Sequence, residues 1–167
     1  MKVIDLLYRY ARYNQWAHQS LLDIIGKLSK QQQQATIPSS FNSLYKTLFH
    51  VWGAEHLWFL RLNREPVPKM SGDPFNGSME DLTKALTITD LQWIEWIADK
   101  SDNDLTLPVQ YTNTAGQSFE QPYDILLHHI FNHSTYHNGQ LVSMLRALGI
   151  NQIPSTDFVT WTRLENA

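Results

Sequence analysis

Four of the seven histidines of this chain fall within ten residues, at His128, His129, His133 and His137. The last three are spaced four apart, so on an α-helix they form one stripe with ~6 Å of rise between neighbours. Two imidazoles at positions i and i+4 can hold one metal ion from a single helix face, whereas the outer two would lie ~12 Å apart. At most one adjacent pair can therefore chelate an ion, and a further ligand must come from another element.

A second helix, predicted over residues 42–62, carries His50 in its middle. A single histidine on an apolar helix face is more often a hydrogen-bonded core residue than a ligand, and the stripe itself could be a polar face satisfied by hydrogen bonds. Taken together, however, His50 and one pair from the stripe would supply three imidazoles. Three such ligands around a divalent ion leave a coordination position open for water or a substrate.

Other catalytic motifs are absent from the sequence. The chain has no cysteine, which excludes disulfides, thiolate metal ligands and a cysteine nucleophile. It has no His-Glu-x-x-His motif and no glycine-rich phosphate loop, and no nucleophile-elbow motif supports a catalytic triad built on Ser134. A metal would be bound by nitrogen and oxygen ligands, and zinc, nickel, iron, cobalt and manganese all remain open.

Four long amphipathic helices must position these residues, over residues 3–29, 42–62, 78 onwards and 122–148. Residues 63–77 are rich in proline and glycine and long enough to traverse a bundle, so the third helix need not run antiparallel to the second. Residues 103–121 predict a short β-hairpin or extended loop, and residues 150–167 a packed extension. The expected fold is all-α, a four-helix bundle forming a single domain over residues 1–167.

Three polar or small residues interrupt the predicted helices. Asn14 and His18 break the apolar stripe of the first helix, and the interpretation we favour places them at the stripe edge, where they reach solvent. The alternative places them in a polar cavity inside the bundle. Gly139 lies inside the last helix, where it costs ~1 kcal/mol relative to alanine, so we expect it to pack closely against a neighbour.

The charge balance argues against two classes of partner. Lys and Arg number 13 and Asp and Glu 16, for a net charge of −3, so nothing points to nucleic acid or an anionic membrane. No apolar run approaches the ~20 residues of a membrane span, and the N-terminus lacks a signal-peptide core. We expect a soluble, cytoplasmic protein. Its six tryptophans leave room for an apolar dimer face, and we favour a homodimer.

Motifs along nearly the whole chain match those of a known family. They lie at residues 12–16, 48–51 around His50, 127–140 around the histidine stripe, and 156–158 near the C-terminus. Together they resemble the DinB/YfiT-like family of metal-dependent proteins, and residues 132–137 are the most specific part. The family commonly has arginine after the last histidine. This chain has Asn138 there, which leaves the three imidazoles intact but removes the ion pair or anion contact of that arginine.

The resemblance implies a bundle with up-down-down-up topology and assigns the metal ligands to His50, His133 and His137. His129 would then be a pocket residue one turn away, and Gln140 could contact a metal-bound ligand. The resemblance further implies a divalent metal, zinc or nickel, and a small-molecule substrate. The implied activity is that of a transferase dependent on a low-molecular-weight thiol, or of a hydrolase, with a metal-bound thiolate or water attacking an electrophile.

The competing hypothesis is a non-catalytic protein associated with stress or DNA damage, with a structural metal and a surface for dimerisation. The coordination of the metal discriminates between the two. A fourth protein ligand would close the site and favour the structural role, whereas an open position would favour an enzyme.

Overall fold

A computed structural model describes residues 2–67, 77–113 and 115–165. Helices and one hairpin make up most of these parts of the chain. In chain order they are α1 (Val3–Ile25), α2 (Lys30–Gln34), α3 (Leu44–Leu62), α4 (Met79–Ala98), α5 (Asp102–Leu105), β1 (Pro108–Thr112), β2 (Ser118–Pro122), α6 (Tyr123–Ala147) and α7 (Phe158–Glu165).

The helices α1, α3, α4 and α6 form a four-helix bundle. α1 packs against α4 and α6, and α3 packs against the same two helices. The N-terminal halves of α1 and α6 and the C-terminal ends of α3 and α4 share one apolar cluster, and the opposite halves share the other. α1 and α6 therefore run one way and α3 and α4 the other. This up-down-down-up arrangement confirms the predicted fold.

Local signals set the helix boundaries. Ser43 caps α3 by accepting a hydrogen bond from the backbone of Lys46, and Ser78 forms a capping box with Asp81 at the start of α4. Gly149, at φ +83°, takes the left-handed conformation that ends α6, as its position in the sequence predicted.

The connection after α1 differs from the prediction. α1 ends at Ile25, four residues before the predicted end, and the glutamine run at residues 31–34 belongs to a short helix, α2, that was not predicted. Ser29 and Gln32 build a capping box at its start. The buried amide of Gln33 donates to the carbonyl oxygens of Ile25 and Leu28, so this helix also supplies a donor to carbonyl groups at and just after the end of α1.

β1 and β2 pair as an antiparallel hairpin with Tyr111 opposite Phe119, within the segment predicted to be a hairpin or extended loop. The hairpin leads directly into α6. Of the predicted long connection over residues 63–77, residues 68–76 lie outside the described residues. No helix in the described parts of the chain is long and apolar enough to cross a bilayer.

Of the two expectations about packing, the one for Gly139 is wrong and the one for the C-terminal extension holds in part. Gly139 was expected to pack closely against a neighbour, but a Cβ atom added there would meet nothing within 4 Å, because this side of α6 faces open space. In the C-terminal extension, Trp161 is buried and Phe158 stacks on Tyr10 with ring centroids 4.9 Å apart, as expected of a packed segment. Val159 in the same helix is 53% exposed, because it lies on the face of α7 that turns away from α1.

Polar side chains separate the two apolar clusters at mid-height of the bundle. Each long helix places a buried polar residue at this level, and we call the group the polar layer. Its members are each 2% exposed or less: Asn14, His18, Glu55, Asp90 and Ser134. The favoured interpretation that Asn14 and His18 reach solvent is therefore wrong, because the stripe on α1 does not drift far enough to release them, and the alternative of a polar interior is right.

Candidate metal centre

The side chains of His50, His133 and His137 converge between α3 and α6. The Nε2 atom of His133 lies 3.0 Å from that of His50 and 3.1 Å from that of His137. Nitrogen ligands bound tetrahedrally at ~2.1 Å would lie ~3.4 Å apart, so small side-chain shifts would bring all three onto one ion. The structure thus brings together the residues that the resemblance implies.

Gln140 orients one of these imidazoles from behind. Its Oε1 lies 2.8 Å from Nδ1 of His137, and its Nε2 donates to Oγ of Ser40 at 3.2 Å. An amide oxygen can only accept a hydrogen bond, so Nδ1 of His137 must carry the proton. The Nε2 atom of His137 then has a lone pair, which points toward the other histidines. Gln140 is therefore a positioning residue in this structure, and its contact with a bound ligand stays a prediction.

Hydrogen bonds alone do not explain the close approach of the three rings. With His137 presenting a lone pair, the one N–H available at Nε2 of His133 can be donated to only one of its two neighbours. Extra protons are disfavoured, because burial, and then the adjacent imidazoles, lower the pKa of both His50 and His133 to about 4. At neutral pH the cluster offers more lone pairs than protons, which is a donor set suited to a divalent cation.

Aromatic rings surround the three histidines. Phe41 stacks on His50 with ring centroids 4.0 Å apart and also lies 5.6 Å from His137. Tyr136 packs edge-on against His137 at 4.9 Å and is 62% exposed. His50 and His133 are half-buried. The site is thus an aromatic-walled position near the protein surface rather than a sealed cavity.

The remaining predicted residues lie outside this cluster. His129 is one turn away on α6, with its ring 5.9 Å from that of His133 and edge-on to Trp58, and burial lowers its pKa. His128 is exposed.

Asn138 is buried and borders a cavity of about 500 Å³ between α1, α6 and the C-terminal segment. Neither polar atom of its amide has a hydrogen-bond partner among the described residues.

Two buried carboxylates were not predicted from the sequence. Glu55 and Asp90 belong to the polar layer, where together with His18 they form a second group of potential ligand atoms. A signal for each was present. Glu55 continues the apolar stripe of α3 four residues after Val51, and Asp90 lies three residues before Trp93 on the buried face of α4. A charge at a core position of an amphipathic stripe indicates a buried polar site.

Known proteins share sequence features with this chain over nearly its whole length. The sequence model of the DinB family matches residues 2–165. A protein named DinB from Bacillus subtilis (strain 168) is 25% identical to this chain over 167 aligned residues, covering 92% of each chain.

Solved structures share the fold. A DinB-like protein from Bacillus cereus ATCC 10987 superposes with a TM-score of 0.62 at 18% identity, over 83% of this chain and 89% of that one. A DinB-like protein from Bacillus subtilis gives 0.66 at 15% identity, over 89% and 97%. A conserved protein from Enterococcus faecalis gives 0.63 at 14% identity, over 87% and 96%. These likenesses bear on the fold alone.

Proposed function

The chain belongs to the DinB family, and we propose that it is a metal-dependent enzyme whose divalent ion is held by His50, His133 and His137. One observation carries the proposal. Within residues 2–67, 77–113 and 115–165, no fourth histidine, cysteine, aspartate or glutamate offers a ligand atom to this group. Structural zinc sites are closed by four protein ligands, whereas catalytic sites keep a position open. The donor set therefore favours catalysis over a structural metal.

The reaction that we propose is the transfer of a low-molecular-weight thiol to an electrophilic small molecule: a bond forms between the sulfur and the electrophilic carbon, the leaving group departs with its bonding electrons, and the proton given up by the thiol passes to the leaving group or to solvent. The ion, when bound, would supply Lewis acidity that lowers the pKa of a thiol or water. The chain has no cysteine, so a sulfur nucleophile must come from a separate thiol compound. Zinc and nickel both suit three imidazoles.

The residues around the histidines have distinct tasks in this proposal. Gln140 holds the tautomer of His137 that leaves Nε2 free. Phe41 shields one side of His50 from water, and Tyr136 offers an exposed aromatic surface beside His137 against which an apolar substrate can pack. Because the site lies near the protein surface between these rings, a thiol and an electrophile can approach it from the same side.

Cobalt substitution tests whether a thiol enters the open position. We expect the Co²⁺ protein to gain a sulfur-to-cobalt charge-transfer band when a low-molecular-weight thiol is added, and to convert a fluorogenic electrophile faster than free Co²⁺ does. His133→Ala should lose both effects, while His56→Ala, which alters a histidine outside the cluster, should keep them. A parent spectrum that no thiol changes would rule out thiol transfer at this site.

A further inference from the structure

The polar layer contains a histidine held by a carboxylate in the centre of the bundle. Nδ1 of His18 lies 3.0 and 3.1 Å from the two carboxylate oxygens of Asp90. Both side chains are at most 2% exposed. A carboxylate can only accept a hydrogen bond, so Nδ1 of His18 carries the proton. The other ring nitrogen, Nε2, points away from Asp90.

Glu55 enters the same layer from the neighbouring helix α3. Its Oε1 accepts from the amide of Asn14 at 2.9 Å and from the hydroxyl of Ser134. The same oxygen lies 3.9 Å from Nε2 of His18, which is too far for a hydrogen bond. The imidazole and the carboxylate therefore face each other across a gap.

Three polar atoms in this layer have no partner among the described residues. They are Nε2 of His18, Oε2 of Glu55 and Oδ1 of Asn14, and all are inaccessible to solvent. Leaving a buried polar group unpaired costs ~1–3 kcal/mol, so three in one cluster indicate that something else pairs with them. Two of the three carry only lone pairs, and Nε2 of His18 carries one when the imidazole is neutral with its proton on Nδ1.

The charges of the layer are also unbalanced. Burial alone lowers the pKa of His18, but Asp90 and Glu55 outweigh that effect and raise it to about 9. Even a charged His18 balances only one of the two carboxylates. Burial raises the pKa of Glu55 to about 7. A proton on its Oε2, however, would itself lack an acceptor, so protonation leaves the unpaired atoms unexplained.

We propose that the polar layer is a second metal site, in which Nε2 of His18, the carboxylate of Glu55 and Oδ1 of Asn14 bind a divalent first-row ion. Asp90 acts as the positioning residue, since it holds the proton of His18 on Nδ1 and turns Nε2 toward Glu55. One divalent charge would balance both carboxylates with a neutral imidazole. This site is distinct from the three-histidine cluster and does not depend on the enzyme activity proposed for it.

The site lies in the closed core, so an ion must enter while the chain folds. We would unfold the protein in chelator, refold it with Zn²⁺, remove exchangeable metal and count the zinc retained. The triple variant His50→Ala/His133→Ala/His137→Ala should retain about one equivalent. In that background His18→Gln or Glu55→Gln should reduce retention at least tenfold. Thr89→Val, which alters a buried hydroxyl beside Asp90, should leave it unchanged.

The outcomes separate the two sites. No zinc in a refolded triple variant overturns the second site and leaves the histidine cluster untouched. If the triple variant does not refold, the unaltered protein decides the matter. Refolded with Zn²⁺ and kept in Zn²⁺, without the step that removes exchangeable metal, it should hold two equivalents, with an anomalous-scattering peak between His18 and Glu55. A single equivalent, or an empty position there that holds only water, would overturn the proposal.

Discussion

The Nε2 atoms of His50 and His133 lie 3.0 Å apart, although 83 residues separate them in the chain. No local turn or strand pairing holds them. They meet because α3 and α6 pack as antiparallel neighbours in the bundle and place their histidines at the same height. The geometry of the cluster is therefore a property of bundle packing, and the residues behind the imidazoles decide how well it binds an ion.

Gln140 should control metal affinity without being a ligand. In Gln140→Leu the proton on Nδ1 of His137 loses its acceptor, so the imidazole can change tautomer and turn. We expect zinc affinity to fall by about 10–100-fold. Chelator competition measures it. Gln140→Glu keeps an acceptor and should bind zinc like the parent, and so should Ser40→Ala. If Gln140→Leu binds zinc with unchanged affinity, Gln140 does not position His137.

Zinc binding to the cluster should depend little on pH under mildly acidic conditions. Metal binds the neutral imidazole, and the pKa of both His50 and His133 is lowered to about 4, so neither competes for protons at pH 5.5. Between pH 7.5 and 5.5 we expect affinity to fall at most about tenfold. Over the same interval, protonation of one imidazole with an ordinary pKa would lower the zinc affinity about tenfold, and protonation of three would lower it about a thousandfold. A loss of that size would contradict the lowered values.

His18 should make the metal-free protein less stable in alkaline solution. Its folded pKa of about 9 exceeds the unfolded value of 6.5, so the folded state binds more protons between these limits. The stabilisation is complete below pH 6.5 and is lost as the pH rises through 9. Urea unfolding should show a fall of a few kcal/mol at most between pH 7 and 9.

The control for this prediction is a change of another histidine. His18→Gln removes the titrating group, so its free energy of unfolding should change less over the same pH interval than that of the parent. His128→Gln alters an exposed histidine and should follow the parent curve. If the parent and His18→Gln lose stability equally, the imidazole is not held charged in the core.

Gly139→Ala should stabilise the protein. A new Cβ would meet nothing within 4 Å, and alanine restricts the unfolded chain more than glycine does. We expect a gain of about 0.5–1 kcal/mol, or a melting temperature about 1–4 °C higher. Gly26→Ala is the matched comparison. Its new Cβ would lie 3.1 Å from the carbonyl oxygen of Leu22, so this variant should gain less stability. A loss of stability in Gly139→Ala would contradict the open space at this position.

The fold was predictable because its signals are local. Apolar residues at helical spacing, Ser78 before α4 and Gly149 after α6 locate the long helices without any tertiary information. The short helix α2 was missed because glutamines carry no periodic apolar signal, and only the contact of Gln33 with the end of α1 reveals why it forms.

The histidine cluster was predictable only in part. Spacing shows that His133 can pair with either His129 or His137, but the choice depends on which turn of α6 faces His50, and that is a tertiary property. Family resemblance made this choice, and the contacts agree with it.

The polar layer was missed for a related reason. Asn14 and His18 look like residues at the edge of the apolar stripe as long as α1 is considered without its neighbours. Glu55 and Asp90 become visible as a site only when the four helices are aligned and every one has a polar residue at the same height. Gly139 shows the same limit, since the sequence cannot tell whether a small residue faces a neighbour or open space.

Metal uptake by the folded protein tests the central claim most directly. After treatment with chelator, the folded parent should take up about one equivalent of Zn²⁺ in a calorimetric titration, because of the two proposed sites the three-histidine cluster is the one near the surface. His133→Ala should take up little, with its circular dichroism unchanged. No uptake by the parent of either Zn²⁺ or Ni²⁺, or equal uptake by His133→Ala, would contradict a metal centre at His50, His133 and His137.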